Sequence, residues 1–169
     1  MTPITVATIG IALMAGLSFV ASSLGTSIAG MAAVGAMKKN KGAFGNYMVL
    51  SALPGSQGLY GLVGFFLLQG YLIPEVTAFQ AWMIFALGII MGLTGIFSSV
   101  MQAKVWANGI TAMGNGHNIL GNTLILAAFP ELYAILGVAM VFLFSGLMGE
   151  PGQVGAATEA VSQLMSMIP

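Results

Sequence analysis

The 169 residues include no cysteine, no arginine and no aspartate, and only 5% of them are charged. Without cysteine there is no disulfide framework, no thiolate metal site and no thiol redox chemistry. Four lysines balance four glutamates, and a chain of zero net charge lacks the basic footprint that nucleic-acid binding requires. A soluble domain carries about 25% charged residues. This one is 58% hydrophobic and cannot clothe itself in a soluble surface, so it reads as an integral membrane protein. The charged positions are Lys38, Lys39, Lys41, Lys104, Glu75, Glu131, Glu150 and Glu159. The N-terminus lacks the basic start of a signal peptide and its apolar run is too long for one, so it is expected to be the first mature helix.

What is present is apolar sequence in four stretches. They run from about Ile4 to Met37, Asn46 to Ile73, Phe79 to Met113 and Ile119 to Met148. The breaks between them are Lys38-Lys39-Asn40-Lys41-Gly42, Pro74-Glu75 and Gly114-Asn115-Gly116-His117-Asn118. A span needs about 20 residues, so each stretch predicts a transmembrane helix, and the longest must tilt or project beyond the bilayer. Three lysines lie in the first break and Lys104 lies toward the third. By the positive-inside rule, loops 38–45 and 114–118 are expected to be cytoplasmic, with both termini on the other side of the cell membrane.

The chain repeats itself at an offset of 76. Leu17, Ser22, Ser23, Ala36 and Met37 recur as Leu93, Ser98, Ser99, Ala112 and Met113. Gly45-Asn46 recurs as Gly121-Asn122, and Leu50, Ala52 and Pro54 recur as Leu126, Ala128 and Pro130. Beyond the prolines, Leu59-Tyr60 matches Leu132-Tyr133 at an offset of 73. Apolar helices resemble one another by composition alone, but paired prolines, a Gly-Asn pair and a Leu-Tyr pair favour duplication. The expected units are a first hairpin, 1–76, a second, 77–152, and a tail, 153–169. A two-helix unit crosses the membrane in the same sense twice, unlike the inverted repeats of many alternating-access transporters. Ser18, Ser22, Gly25, Ala29, Ala32 and Ala36 form a small-residue face on the first helix, and Gly88, Gly92, Gly95 and Ser99 one on the third, so these two are expected to form the close-packed inner pair.

Glu131 is the only carboxylate inside a membrane-length apolar run. A charge at the bilayer centre costs about 2.5–3.5 kcal/mol on insertion scales, and an intramembrane acid is by default an ion or proton site. Few other polar side chains lie inside the spans, among them Ser56 and Gln57 after Pro54-Gly55, Tyr60, Gln102 on the small-residue face of the third helix, and Tyr133. A proline inside a helix removes one hydrogen bond at about 3 kcal/mol, and in lipid the freed carbonyl needs another partner. Near Pro54, with Gly55 and Gly58, such a carbonyl can face a cation; Pro130 is read equally as a plain kink. A proton carrier needs only a buried carboxyl, whereas Na⁺ needs several oxygens in place of its water shell. Ser56, Gln57, Gln102, Glu131 and a carbonyl at the break could form such a cage, neutral when loaded. Taken one at a time, Gln57 and Gln102 read equally as inter-helix hydrogen bonds.

Two hairpins with LPGSQGLYG in the second helix, SSVMQAK in the third and ELYAILG in the fourth resemble the rotor-ring proteolipid (subunit K, or c) of V-type ATPases, and more closely its bacterial sodium-pumping branch. The resemblance covers roughly residues 5–148. It implies an all-α membrane protein of four transmembrane helices in two tandem parallel hairpins, assembled into a homo-oligomeric ring. It implies Na⁺ held by the Leu53 carbonyl, Ser56, Gln57, Gln102 and Glu131, with Tyr60 holding the glutamate when no ion is bound, and no organic cofactor. Ser56 stands where the sodium type often has threonine, and Pro130 directly precedes the acid. The tail is longer than the resemblance leads one to expect, with an amphipathic spacing of Val154, Val161, Leu164, Met165 and Ile168.

The resemblance also implies partners: identical protomers, a stator membrane subunit with an arginine that displaces the ion, central-stalk subunits at loops 38–45 and 114–118, and lipid. The chain alone would catalyse nothing; it would turn in a complex driven by ATP hydrolysis. One acid per four helices means fewer ions per turn, which favours a pump over a synthase when each charge costs about 2.3 kcal/mol per 100 mV. The alternatives are a proton carrier of the same architecture, and a non-rotary channel or structural proteolipid. His117, alone in a loop, reads as a solvated residue.

Overall fold

In a computed structural model the protein is all-helical, and the structure describes residues 1–153, Gln163 and Ser166. Helix α1 spans Pro3–Met37, with its proline in the first turn, where a missing N–H costs nothing. The second span comes in pieces: α2 (Phe44–Ala52), a 3₁₀ turn (Leu53–Gly55), α3 (Ser56–Leu68) and a 3₁₀ turn (Gln69–Tyr71). Helix α4 spans Ala78–Gly114 and α5 spans Leu120–Leu147. α1, α4 and α5 are each long and apolar enough to cross a membrane as single helices. The α2–α3 unit makes the fourth crossing, with Pro54 tightening its middle into the 3₁₀ turn. Pro130 lies inside α5, which remains one helix. The third break is shorter than the sequence suggests, because α4 continues through Gly114.

Helix ends are set by local chemistry. Thr77 and Gln80 form a capping box that starts α4, the threonine hydroxyl accepting from the Gln80 N–H at 3.2 Å and the Gln80 side chain from the Thr77 N–H at 3.2 Å. Gly116, at φ 93, turns the chain after α4. Lys39 Nζ donates to Asn115 Oδ1 at 2.8 Å and Asn40 Nδ2 to the Met113 carbonyl at 3.4 Å, so the first and third breaks meet at one end. At the other end the Nε2 of Gln80, fully buried, lies within 3.0 Å of the carbonyl oxygens of Met148, Glu150 and Gln153 and shares its two hydrogens among them, which holds the chain leaving α5 against the start of α4.

α1 and α4 are the closest pair. A Cβ built on Gly88 would lie 2.1 Å from the Gly10 carbonyl oxygen, so only glycine permits this backbone approach. α3 lies on α1, α5 on α4, and α3 meets α5 across them. Apolar burial falls into two clusters. One, toward the chain ends, holds Met14, Leu68, Ile84, Met91 and Val141; the other, toward the Lys38–Lys41 loop, holds Ala29, Tyr47, Leu50, Trp106 and Ile110. Between them lies a thin polar layer that contains Ser18, Gln57, Ser98, Ser99 and Gln102, all buried. The tail is outside the described residues apart from Gln153, Gln163 and Ser166.

Candidate functional site

Glu131 enters this layer from α5, half-buried. Its Oε1 accepts from Ser56 Oγ at 2.7 Å and from the Tyr60 hydroxyl. Its Oε2 accepts from Gln102 Nε2 at 2.6 Å and Gln57 Nε2 at 2.9 Å. Four side-chain donors from α3 and α4 thus converge on one carboxylate, which is how a charge is stabilised away from water. Gln57 Nε2 also lies 3.1 Å from Ser98 Oγ and 3.3 Å from Gln102 Oε1, so the two amides are held against each other. Gln102 Nε2 reaches the Ala127 carbonyl of α5 at 3.2 Å.

The backbone break positions the α3 donors. Ser56 and Gln57 open α3, directly after the 3₁₀ turn. Ser56 Oγ lies 3.0 Å from the Leu53 carbonyl oxygen, so that carbonyl borders the carboxylate through one hydroxyl. Tyr60 follows one turn later on the same face. All six residues singled out in the sequence, Leu53, Ser56, Gln57, Tyr60, Gln102 and Glu131, therefore belong to one cluster. Tyr133, the other intramembrane tyrosine of the Leu-Tyr pairs, is 64% exposed and points away from it. His117 sits exposed in the loop after α4.

Three serines carry roles that sequence reasoning missed. Ser98 Oγ donates to the Pro130 carbonyl at 2.8 Å, tying α4 to the residue before the acid. Ser99 Oγ bonds the Pro54 carbonyl at 3.0 Å and the Ala21 carbonyl at 2.8 Å. Ser22 Oγ donates to the Gly55 carbonyl at 2.9 Å and accepts from the Gly58 N–H at 2.6 Å. Each satisfies backbone near a proline, where the helix cannot. The signal was in the repeat: Ser22-Ser23 and Ser98-Ser99 are equivalent and sit level with the prolines. Trp106 carried no sequence signal; its Nε1 is buried with no hydrogen-bond partner among the described residues, and the residue lines a groove of about 340 Å³ beside Glu131.

Two tandem membrane hairpins with one acid in a buried polar layer define a proteolipid. The chain belongs to the ATP synthase C-subunit family, whose sequence model matches residues 9–68 and again residues 85–144. The two matches are displaced by 76 residues, the offset of the internal repeat. The chain is similar to the A-type ATP synthase subunit K of Methanocaldococcus jannaschii, with 30% identity over 159 residues, 94% of this chain and 69% of that protein. It is also similar to the V-type sodium ATPase subunit K of Enterococcus hirae, with 34% identity over 126 residues, 75% of this chain and 81% of that protein. It is accordingly a multi-pass membrane protein of the rotary ATPases, a rotor subunit that is not catalytic by itself.

Proposed function

We propose that Glu131 carries one Na⁺ per protomer while a ring of these chains turns in a complex driven by ATP hydrolysis. The observation that carries this reading is the convergence of oxygen-bearing groups on one intramembrane carboxylate: Ser56 Oγ at 2.7 Å, with the Leu53 carbonyl 3.0 Å beyond it, and the side-chain amides of Gln57 and Gln102, whose nitrogens donate at 2.9 and 2.6 Å. A proton carrier needs none of these ligands; a hard cation needs them all. Turning each glutamine amide about its last bond presents an oxygen where the nitrogen now donates. The Tyr60 hydroxyl, on the same oxygen as Ser56, holds the carboxylate when no cation does. One cation and one carboxylate sum to zero charge, so a loaded site can pass lipid at little electrostatic penalty. The similarity to a sodium ATPase subunit supports the choice of ion.

In this reading residues 1–76 form a packing hairpin and residues 77–152 the ion-carrying one. A stator arginine displaces the ion into an exit path. Loops 38–45 and 114–118 face the cytoplasm and the central stalk, with both termini on the other side. Lys38, Lys39 and Lys41 support that orientation, and the Lys39–Asn115 bond keeps both loops at one end. The test is carbodiimide labelling of Glu131 in intact membranes. Na⁺ should protect the residue in a saturable manner at constant pH. Labelling that responds to pH but not to Na⁺ makes this a proton carrier instead.

A further inference from the structure

Hydrogen-bond polarity can be traced through the site, starting from the residue before the acid. A backbone carbonyl only accepts, so the Pro130 carbonyl fixes the Ser98 hydroxyl as its donor at 2.8 Å. A hydroxyl has one hydrogen, and with that hydrogen committed Ser98 Oγ offers Gln57 lone pairs alone. The Gln57 atom 3.1 Å away is therefore the amide nitrogen, and the same nitrogen reaches Glu131 Oε2 at 2.9 Å. Ser98 and Gln57 are both buried, so solvent does not compete for these bonds. The sequence of donors, Gln57 to Ser98 to Pro130, holds the amide with its nitrogen toward the carboxylate.

A cation beside Glu131 needs the other end of that amide. With the Gln57 oxygen turned toward the carboxylate, Gln57 Oε1 and Ser98 Oγ confront each other as two acceptors about 3 Å apart. Ser98 relieves this only by swinging its hydrogen away from Pro130. Nitrogen forward, two bonds run through Ser98; oxygen forward, one does. We infer that Ser98 is a positioning residue, a latch that holds Gln57 in its donor orientation and so opposes cation loading and favours release. The inference rests on the sodium reading of the site. A carrier has to let its ion go as well as bind it, and the latch weights that balance toward release. The other hairpin supplies the contrast. Ser22, the repeat mate of Ser98, has the same polarity: its hydroxyl donates to the Gly55 carbonyl at 2.9 Å and accepts from the Gly58 N–H at 2.6 Å. There the donor is backbone, fixed within a helix. At Ser98 the donor is a side-chain amide free to turn about its last bond. One serine is a fixed bridge and its mate is a latch.

The test is Na⁺ protection of Glu131 from carbodiimide in intact membranes at constant pH, with parent and Ser98→Ala compared. The alanine variant should need about 3- to 10-fold less Na⁺ for half-protection, the equivalent of one neutral hydrogen bond. A site merely damaged by the substitution would bind its ion more weakly, so the direction of the shift separates a latch from a structural support. Ser98→Thr keeps the hydroxyl and should stay close to the parent; Ser98 borders a groove of about 450 Å³ between α4 and α5 that has room for the added methyl group. Half-protection of Ser98→Ala at the parental Na⁺ concentration or above, or a threonine variant that tightens as alanine does, overturns the latch and leaves the sodium reading standing. Failure of Na⁺ to protect the parent removes the sodium reading itself, and the latch with it. If Ser98→Ala does not assemble, Ser98→Cys keeps the volume but bonds weakly, and it should also tighten protection; a parental response in that variant rejects the latch.

Discussion

The two hairpins share a plan and differ at one turn. Each has a first helix with a serine pair and a second helix with a proline at the same depth. In the first, Pro54 interrupts the helix with a 3₁₀ turn, and Gly58 leaves room for Ser22 to bond the Gly55 carbonyl and the Gly58 N–H. In the second, Pro130 leaves α5 whole, Ser98 bonds the proline carbonyl, and the next residue is Glu131. The first hairpin therefore directs its polar groups elsewhere: Ser56, Gln57 and Tyr60 cross over to the acid of the second. Duplication supplied two equivalent frames, and their divergence left the acid on the second with one donor, Gln102, and put the other three donors on the first. An unsatisfied charge in lipid is expensive, so a single acid surrounded by four donors is stable where two half-served acids would not be.

That division can be broken most severely at the acid. Glu131→Gln in the assembled complex should reduce ATP-driven ion uptake by vesicles to background; uptake at parental rates would move the function to a non-rotary channel or structural role. Relocating the acid, with Glu131→Gln and Gly55→Glu together, should not restore uptake, because Ser56, Gln57 and Tyr60 lie on the same helix as the relocated acid and the second hairpin offers no equivalent set. Recovery would show that the hairpins are interchangeable after all.

Packing comes next. Gly88→Ala should cost on the order of 1–3 kcal/mol by forcing α4 off the Gly10 carbonyl, read as a lower melting temperature in detergent. Gly30→Ala, where a Cβ meets nothing within 4 Å, should leave that temperature unchanged.

The donors sharpen the comparison further. Gln57→Leu and Gln102→Leu should each raise the Na⁺ concentration needed to protect Glu131 from carbodiimide by roughly 10- to 100-fold, the equivalent of one hydrogen bond to a charged group at about 1.5–3 kcal/mol. Tyr60→Phe should shift protection by less, since Ser56 also serves that oxygen and the hydroxyl is not a cation ligand. Ser22→Ala gives the smallest effect, about 1 kcal/mol of stability by denaturant or thermal unfolding, with Na⁺ protection unchanged.

Much of this was legible in the chain. Four apolar runs predict four crossings, and each helix end falls within a few residues of its polar break. The small-residue faces predict α1 and α4 as the close-packed pair, as found. The candidate site was legible because polar residues are so scarce in the spans that Gln57, Gln102 and Glu131 stand out singly. The serines were not legible as site-positioning groups. Serine is common on tightly packed membrane helices, and only the distance from its hydroxyl to a particular carbonyl separates a spacer from a backbone partner. The 3₁₀ turn was half legible: Pro54-Gly55 signals a break, but Pro130 carries a similar signal in a helix that stays continuous.

By itself the sequence determined that this protein lives in a membrane, that it is built twice, and that one acid is all the charge it hides. Those follow from composition and periodicity, which act through solvent transfer and need no knowledge of neighbours. Tertiary structure alone decided that Ser56, Gln57 and Tyr60 of one hairpin join Gln102 of the other on a single carboxylate. It also decided that two apolar clusters enclose a single polar layer. Hydrogen bonds act over about 3 Å, and residues 57, 102 and 131 come within that distance only when three helices pack at one depth.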